Sequence, residues 1–198
     1  MNDETLSARD RILLTAHDLF YADGIRATGI DRIIAESGVA KLTFYRHFPS
    51  KDELVMAYLN YRHERWMAWF VDALGRHGAA AGGGLQPLIK TMSEWFENPV
   101  FRGCAFINVV AEMGGSQPGM LVIAQSHKDE MLRVMENLLP AEDAAIANAA
   151  AMAVDGAIIR AQIEKMDGQK KSALDGLRQV LMALERASEK TGASGAPA

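Results

Sequence analysis

The sequence predicts an all-α protein: a three-helix N-terminal helix-turn-helix unit joined by a long fourth helix to a larger helical body, about nine helices in all. Three observations point there. Apolar residues recur at three- and four-residue spacing along almost the whole chain, and no segment alternates convincingly with the period of a strand. The breaks between the periodic runs carry capping residues, glycine or proline.

Composition sets the bounds. A chain of 198 residues can bury a sizeable core as one large or two small domains. With 49% apolar residues, 23% charged residues and a net charge of −4, it is not expected to coat nucleic acid over its whole surface, although a local basic face remains open. The single Cys104 excludes an intramolecular disulfide and a thiolate cluster, which fits a reducing, cytoplasmic setting. "MNDETLSARDR" lacks the basic-then-apolar order of a signal peptide, and no run approaches the ~18 apolar residues of a membrane span, so neither is expected.

Ser7 followed by Asp10 reads as a helix cap, and Ile12, Leu13, Ala16, Leu19 and Phe20 then share one face until Gly24. Thr28 and Asp31 repeat the pattern and open a short helix around Ile30, Ile33 and Ile34. Gly38 in "ESGVA" suits a tight turn that needs a positive φ. A third short helix runs from about Ala40 to Phe48, Pro49 ends it, and Ser50 with Glu53 caps a long fourth helix to roughly Leu74. "GRHGAAAGGGLQP" reads as a flexible connection because of its glycines. Further helices are expected near 85–97, 103–113, 118–138, 141–166 and 171–189, with a small, polar tail after them.

Two short helices around a glycine turn make a helix-turn-helix, whose second helix can lie in the DNA major groove. Phe44 and Phe48 share one helical face and are assigned to the core, so several of Lys41, Thr43, Tyr45, Arg46 and His47 must point outward. Their hydroxyls and cations are what phosphate oxygens and base edges accept. Lys51 sits in the first turn of the fourth helix, where a cation opposes the dipole. It is either a plain exposed lysine or half of a phosphate seat. Through residue 51 the acids Asp3, Glu4, Asp10, Asp18, Asp23, Asp31 and Glu36 balance Arg9, Arg11, Arg26, Arg32, Lys41, Arg46 and Lys51, so binding must come from charge arrangement and weaken with salt.

"TGIDRIIAESGVAKLTFYRHFPSKDELV", with "A-x-x-L-F" ahead of it, resembles the helix-turn-helix of the TetR family of bacterial transcriptional regulators over about residues 9 to 60. The resemblance implies a homodimeric repressor that binds a palindromic double-stranded DNA operator and is released by a small, largely apolar effector of unknown identity. It divides the chain into a DNA-binding domain at 6–66, a ligand-binding and dimerisation domain at 67–190, and a disordered tail at 191–198. It also implies that Thr28 caps the second helix and touches phosphate, that Lys41 and Leu42 face bases, and that Thr43, Tyr45, His47 and Lys51 contact phosphate or base. Gly29, Arg32 and Arg46 complete the expected DNA-facing set. Leu42 stands where many members have glycine, and Gly29 where serine or threonine is frequent, so an operator sequence cannot be borrowed from relatives.

In the C-terminal body, "AEDAAIANAAAMAVDGAIIRAQIEKM" is crowded with alanine, and the next helix places Leu174, Leu177, Leu181 and Leu184 on one stripe with Val180 beside it. Periodicity leaves open whether these helices pack inside one subunit or form a four-helix bundle across a two-fold axis. The resemblance favours the second, with Ala150, Val154 and Ile158 joining the four leucines at the dimer interface. For a ligand, Trp66, Phe70, Trp95 and Phe106 supply aromatic surface, among other aromatics that also read as ordinary core. Polar residues inside apolar runs, Asn108, Glu112, His127 and Asp155, are pointers; Asn108 and His127 are the candidate ligand contacts, and Asp155 is read as structural with Arg160.

No cofactor, metal site or catalytic group is expected. Cys104 as a nucleophile or redox sensor, and His63 with Glu64 as a metal pair, lack the third group each chemistry needs. The alternative within DNA-binding proteins is a regulator that takes no small ligand and answers to a protein partner or acts architecturally.

Overall fold

The computed structural model describes residues 6–114, 117–140, 143–164 and 171–194. Among these residues it contains helices and turns and no strand. The helices are α1 (Ala8–Asp23), α2 (Ile30–Ser37), α3 (Lys41–His47), α4 (Lys51–Arg76), α5 (Gln86–Glu97), α6 (Ala105–Met113), α7 (Pro118–Leu138), α8 (Ala144–Glu164) and α9 (Lys171–Ser194). None is long and apolar enough to cross a membrane. The expected ends of α8 at 141 and 166 lie outside the described residues, as do the last four of the tail. Residues 191–194, expected to be disordered, continue α9 as helix.

Contacts within the chain divide it into two compact units. The first comprises Met1–Arg65 and Ala105–Ser126, the second Trp66–Cys104 and His127–Ala198.

In the first unit, α1 packs on α2 and α3 through Ile12, Ala16, Phe20, Ile33 and Phe44, all buried. The Ser7 cap is reciprocal: its Oγ accepts from Asp10 N at 3.1 Å and donates to the Asp10 carboxylate at 2.7 Å. Gly24 ends α1 at φ 93°, ψ 158°, a backbone region in essence reserved for glycine, and Gly38 turns between α2 and α3 at φ 64°, ψ 31°. Ser50 Oγ accepts from Glu53 N at 3.2 Å at the start of α4.

Thr28 departs from expectation. The N-cap of α2 is Gly29, with no side-chain cap bond. Thr28 is fully buried, and its hydroxyl donates back to Gly24 O at 2.8 Å. It secures the α1–α2 turn, and its side chain is not placed to touch phosphate.

In the second unit, α8 and α9 pack along their lengths, and α5 lies against α9. Ala150, Val154, Ile158, Leu177 and Leu181, expected at a dimer interface, are buried in this intramolecular seam, with Leu174 and Leu184 half-buried. The alanine-rich face fits closely against its own neighbour because small side chains let the backbones approach. Asp155 also has a different partner from the Arg160 expected: its carboxylate takes the Lys128 ammonium at 2.5 Å, while Arg160 reaches Glu164 at 3.9 Å. The glycine-rich connection is tied down rather than loose. Gly82 N and Gly84 N donate to the Asn137 and Leu138 carbonyls at 3.1 and 2.8 Å, and Leu85 N donates to Glu185 at 2.6 Å. Carbonyls at the end of α7, which have no intrahelical partner, are satisfied this way.

Candidate functional site

The helix-turn-helix presents its chemistry by phase. Phe44 is fully buried, Phe48 nearly so, and their rings lie 6.4 Å apart, which fixes the roll of α3. The opposite face is left outward: Lys41, Leu42, Tyr45, Arg46 and His47 are exposed, Leu42 at 73%, and Thr43 is half-buried. Tyr45 packs its ring edge-to-face on Phe44 at 5.3 Å, which orients the phenol without hiding it. Among the described residues Lys41 has only a long exposed contact with Asp31 at 3.4 Å, so its charge remains available. Gly29 is exposed, with open space where a Cβ would stand.

Arg32 is engaged differently. Its guanidinium donates to Glu36 at 2.7 Å and Asp23 at 2.6 Å, and these bonds hold its pKa above the ordinary arginine value. A phosphate would compete with two carboxylates for it. Lys51 also turns inward: its ammonium donates to the Ile25 carbonyl at 2.6 Å and lies 6.0 Å from the Phe20 ring centroid. Burial lowers its pKa below the usual lysine value, against the opposing pull of Glu112 and Asp52. At least one of its three donors therefore serves the α1–α2 turn.

His47 and Phe48 border an open groove of about 800 Å³ over Arg9, Met56, Asn60 and Tyr61. Asp10, Glu53 and Glu64 line it together with Arg9 and His47, a mixture that selects no ligand charge.

Of the expected ligand residues, the structure brings four together in the second unit. Trp66 stacks on Phe70 at 4.7 Å and meets Trp95 at 5.2 Å and His127 at 5.1 Å, each centroid to centroid. All four are buried, and among the described residues the Trp66 indole N–H has no hydrogen-bond partner. Phe106 and Asn108 belong to the first unit, where Phe106 meets the His63 ring edge-on at 6.4 Å. Cys104 is buried. Among the described residues no three His, Cys, Asp or Glu side chains are grouped to hold a metal.

Sequence reasoning missed the large apolar residues left exposed on α8, although it placed Val180 of α9 beside the leucine stripe. Met152, Ile159 and Ile163 recur at seven and four residues along α8, with Met152 70% exposed, and Val180 is exposed on α9. That spacing was a usable signal, masked by the many alanines around it.

Residues 12–58 match the family model described as bacterial regulatory proteins, tetR family. The chain is 31% identical over 127 residues to the HTH-type transcriptional regulator LmrA of Bacillus subtilis, an alignment covering 64% of this chain and 61% of LmrA, so it spans less than two thirds of that relative. A 55-residue stretch is 42% identical to the HTH-type transcriptional activator FasR of Mycolicibacterium smegmatis, 28% of this chain and 25% of FasR. Among solved structures, a TetR-family transcriptional regulator from Streptomyces coelicolor superposes with a TM-score of 0.75 at 33% identity, over 89% of this chain and 95% of that one. The multidrug binding protein EbrR, solved with malachite green, shares the fold at a TM-score of 0.66 and 19% identity, over 89% of this chain and 99% of that one. LmrA, FasR and the Streptomyces coelicolor protein are named as transcriptional regulators and not as enzymes. A buried Phe44 beneath an outward row of polar and cationic groups, the match over 12–58 and the full-length likeness converge, and the chain belongs to the TetR family of transcriptional regulators, with its helix-turn-helix as the DNA-binding element.

Proposed function

We propose that the protein is an effector-responsive repressor that binds a palindromic operator as a homodimer and releases it when a small aromatic molecule occupies the second unit. DNA reading is assigned to residues 6–66, and ligand binding and dimerisation to 67–190, with Trp66, the first residue of the second unit, counted with the ligand site. In this reading Lys41, Leu42 and Tyr45 face base edges, and Thr43, Arg46 and His47 lie along the backbone.

The observation that carries the ligand half is the Trp66 indole N–H, buried and unsatisfied among Phe70, Trp95 and His127. A buried donor without an acceptor costs about 1–3 kcal/mol, which a ligand bringing a carbonyl or ring nitrogen against those aromatic faces would recover. EbrR's complex with malachite green is the parallel in this fold. The dimer half rests on the exposed stripe of Met152, Ile159 and Ile163 on α8 and on Val180, exposed on α9. Gly156 and Gly176 have open space where a Cβ would stand, which leaves room for close helix approach. A two-fold pairing there is expected to set the reading helices about 34–36 Å apart, one turn of DNA.

Release requires the effector to bind the DNA-incompetent form better than the competent one. The test is footprinting on DNA flanking the protein's own gene at two salt concentrations, repeated with planar aromatic compounds that raise the melting temperature. A protected palindrome that such a compound abolishes supports the reading. A protected palindrome that no stabilising compound disturbs sinks its ligand half and favours control by a protein partner.

A further inference from the structure

One peptide unit in the first unit is held from both sides by opposite charges. The carbonyl of the Ile25–Arg26 peptide accepts from the Lys51 ammonium of α4 at 2.6 Å. The N–H of the same peptide, on Arg26, donates to Glu112 Oε2 of α6 at 2.9 Å. In a trans peptide these two groups point in opposite directions, so α4 and α6 grip the plane between them. The turn is shaped for this. A Cβ on Gly24 would stand 3.3 Å from Glu112 Oε1, closer than comfortable packing, and the φ of 93° there already excludes most residues. Thr28 ties the next strand of the turn to Gly24 O at 2.8 Å.

The gripped peptide lies in the link that carries α2 and α3 away from α1. Both gripping helices are also continuous in the chain with the second unit: α4 passes from one unit to the other at Arg65 and Trp66, and α6 begins immediately after Cys104. Glu112 sits in the last turn of α6, late enough to reach the turn, and its carboxylate lies close enough to Lys51 to bias that ammonium toward its charged form.

We infer that Glu112 is a positioning residue for DNA reading: with Lys51 it fixes the Ile25–Arg26 peptide and so the α1–α2 turn, and withdrawing it loosens the recognition element. The inference rests on the DNA-reading role of this unit. Its electrostatics separate it from a simple charge effect, because removing a negative charge from a DNA-binding surface by itself strengthens binding.

The experiment compares Glu112→Ala, Glu112→Gln and Glu112→Asp in the full chain. Two readouts are needed: amide exchange at Arg26 without DNA, and affinity for a duplex that the wild type selects from random sequence. Glu112→Gln keeps an acceptor at the same reach and loses the charge, whereas Glu112→Asp keeps the charge and shortens the reach. Loss of the bond is expected to speed Arg26 exchange about tenfold or more in the Ala and Asp variants and to lower affinity several-fold, with Gln, which keeps a neutral acceptor there, closer to wild type than either in both. Should Ala prevent folding, the Gln and Asp pair decides the matter alone. Unchanged Arg26 exchange in Asp, faster exchange with unchanged affinity, or an equal gain in affinity for Gln and Ala overturns the inference. If the wild type selects no duplex, the DNA reading itself fails, while Arg26 exchange still reports on the grip.

Discussion

α3 and α8 both bury one face and expose the other, yet they leave opposite chemistries outside. Phe44 of α3 is sealed in the core while Lys41, Tyr45 and Arg46 stand in solvent, with Leu42 as the one large apolar side chain among them. Val154 of α8 is sealed while Met152, Ile159 and Ile163 stand in solvent. A hydrated cationic face is at ease in water and gains from meeting an anion. An apolar face is not at ease there, and the cheapest remedy is another apolar surface. The same helical geometry therefore leaves one unit a face suited to an anion and the other a face suited to a second apolar surface.

The largest expected effect tests the buried side of α8. Val154→Asp places a carboxylate at a fully buried position of α8, and should cost about 4 kcal/mol or more, read as a collapse of the melting temperature. Met152→Asp, two residues away on the exposed face, should leave the isolated chain's stability within about 0.5 kcal/mol. Equal destabilisation by the two would mean that α8 does not divide its faces in this way.

Next in size is the exposed side. Met152→Asp combined with Ile159→Asp sets like charges against their two-fold mates, and is expected to weaken self-association about 100-fold or more by sedimentation equilibrium. Operator affinity should fall with it, since each half-site is then bound alone. A double variant that still sediments as wild type would move the interface elsewhere.

Much of the first unit was legible because its signals are local. Ser7 with Asp10, Ser50 with Glu53, and the glycines at 24 and 38 each act on neighbours within four residues, and phase alone separated Phe44 and Phe48 from Tyr45. Thr28 misled because a hydroxyl can cap forward or bond back to the carbonyl four residues behind, and sequence spacing suits both. Arg32 and Lys51 read as free cations because their partners Asp23 and Ile25 O meet them only after the chain folds. In the second unit the alphabet is poorer. Alanine and leucine form a seam equally well inside one chain or between two, so the stripe of Leu177 and Leu181 could not declare its partner. Glycines 82 and 84 looked loose because their acceptors on α7 are distant in sequence.

Smaller effects sharpen the reading face. Tyr45→Ala is expected to weaken operator binding about tenfold, with no change in melting temperature beyond about 0.5 kcal/mol. Lys41→Ala should flatten the dependence of log affinity on log salt by about one unit if its ammonium neutralises a phosphate. An unaltered salt slope with weaker binding would place Lys41 against a base edge instead.

The smallest effect, a response to acid, distinguishes the units again. In the first, His17 has a lowered pKa, chiefly through burial, with Asp18 opposing and Arg62 adding to the shift. Its Nδ1 meets Asp18 at 2.8 Å and its Nε2 meets Arg62 at 3.3 Å, an arrangement that suits a neutral ring donating to the acid and accepting from the guanidinium. Because the folded value lies below the ordinary ~6.5, the unfolded chain takes the proton first. The stability this neutral ring allows is complete above that pH and declines as pH falls toward the folded value. In the second unit, Glu94 is held at about 2, first by Arg76 and then by His77 and Trp69. Its contribution is present above the ordinary carboxylate value and fades only as pH drops toward 2, and its exposure to solvent and salt keeps that contribution small. Amide exchange followed from pH 7 downward should therefore show α1 losing protection below pH ~6.5, with His17→Phe flattening that slope, while α5 around Glu94 holds until stronger acid. A slope that survives His17→Phe would mean that another group carries the first unit's response to acid.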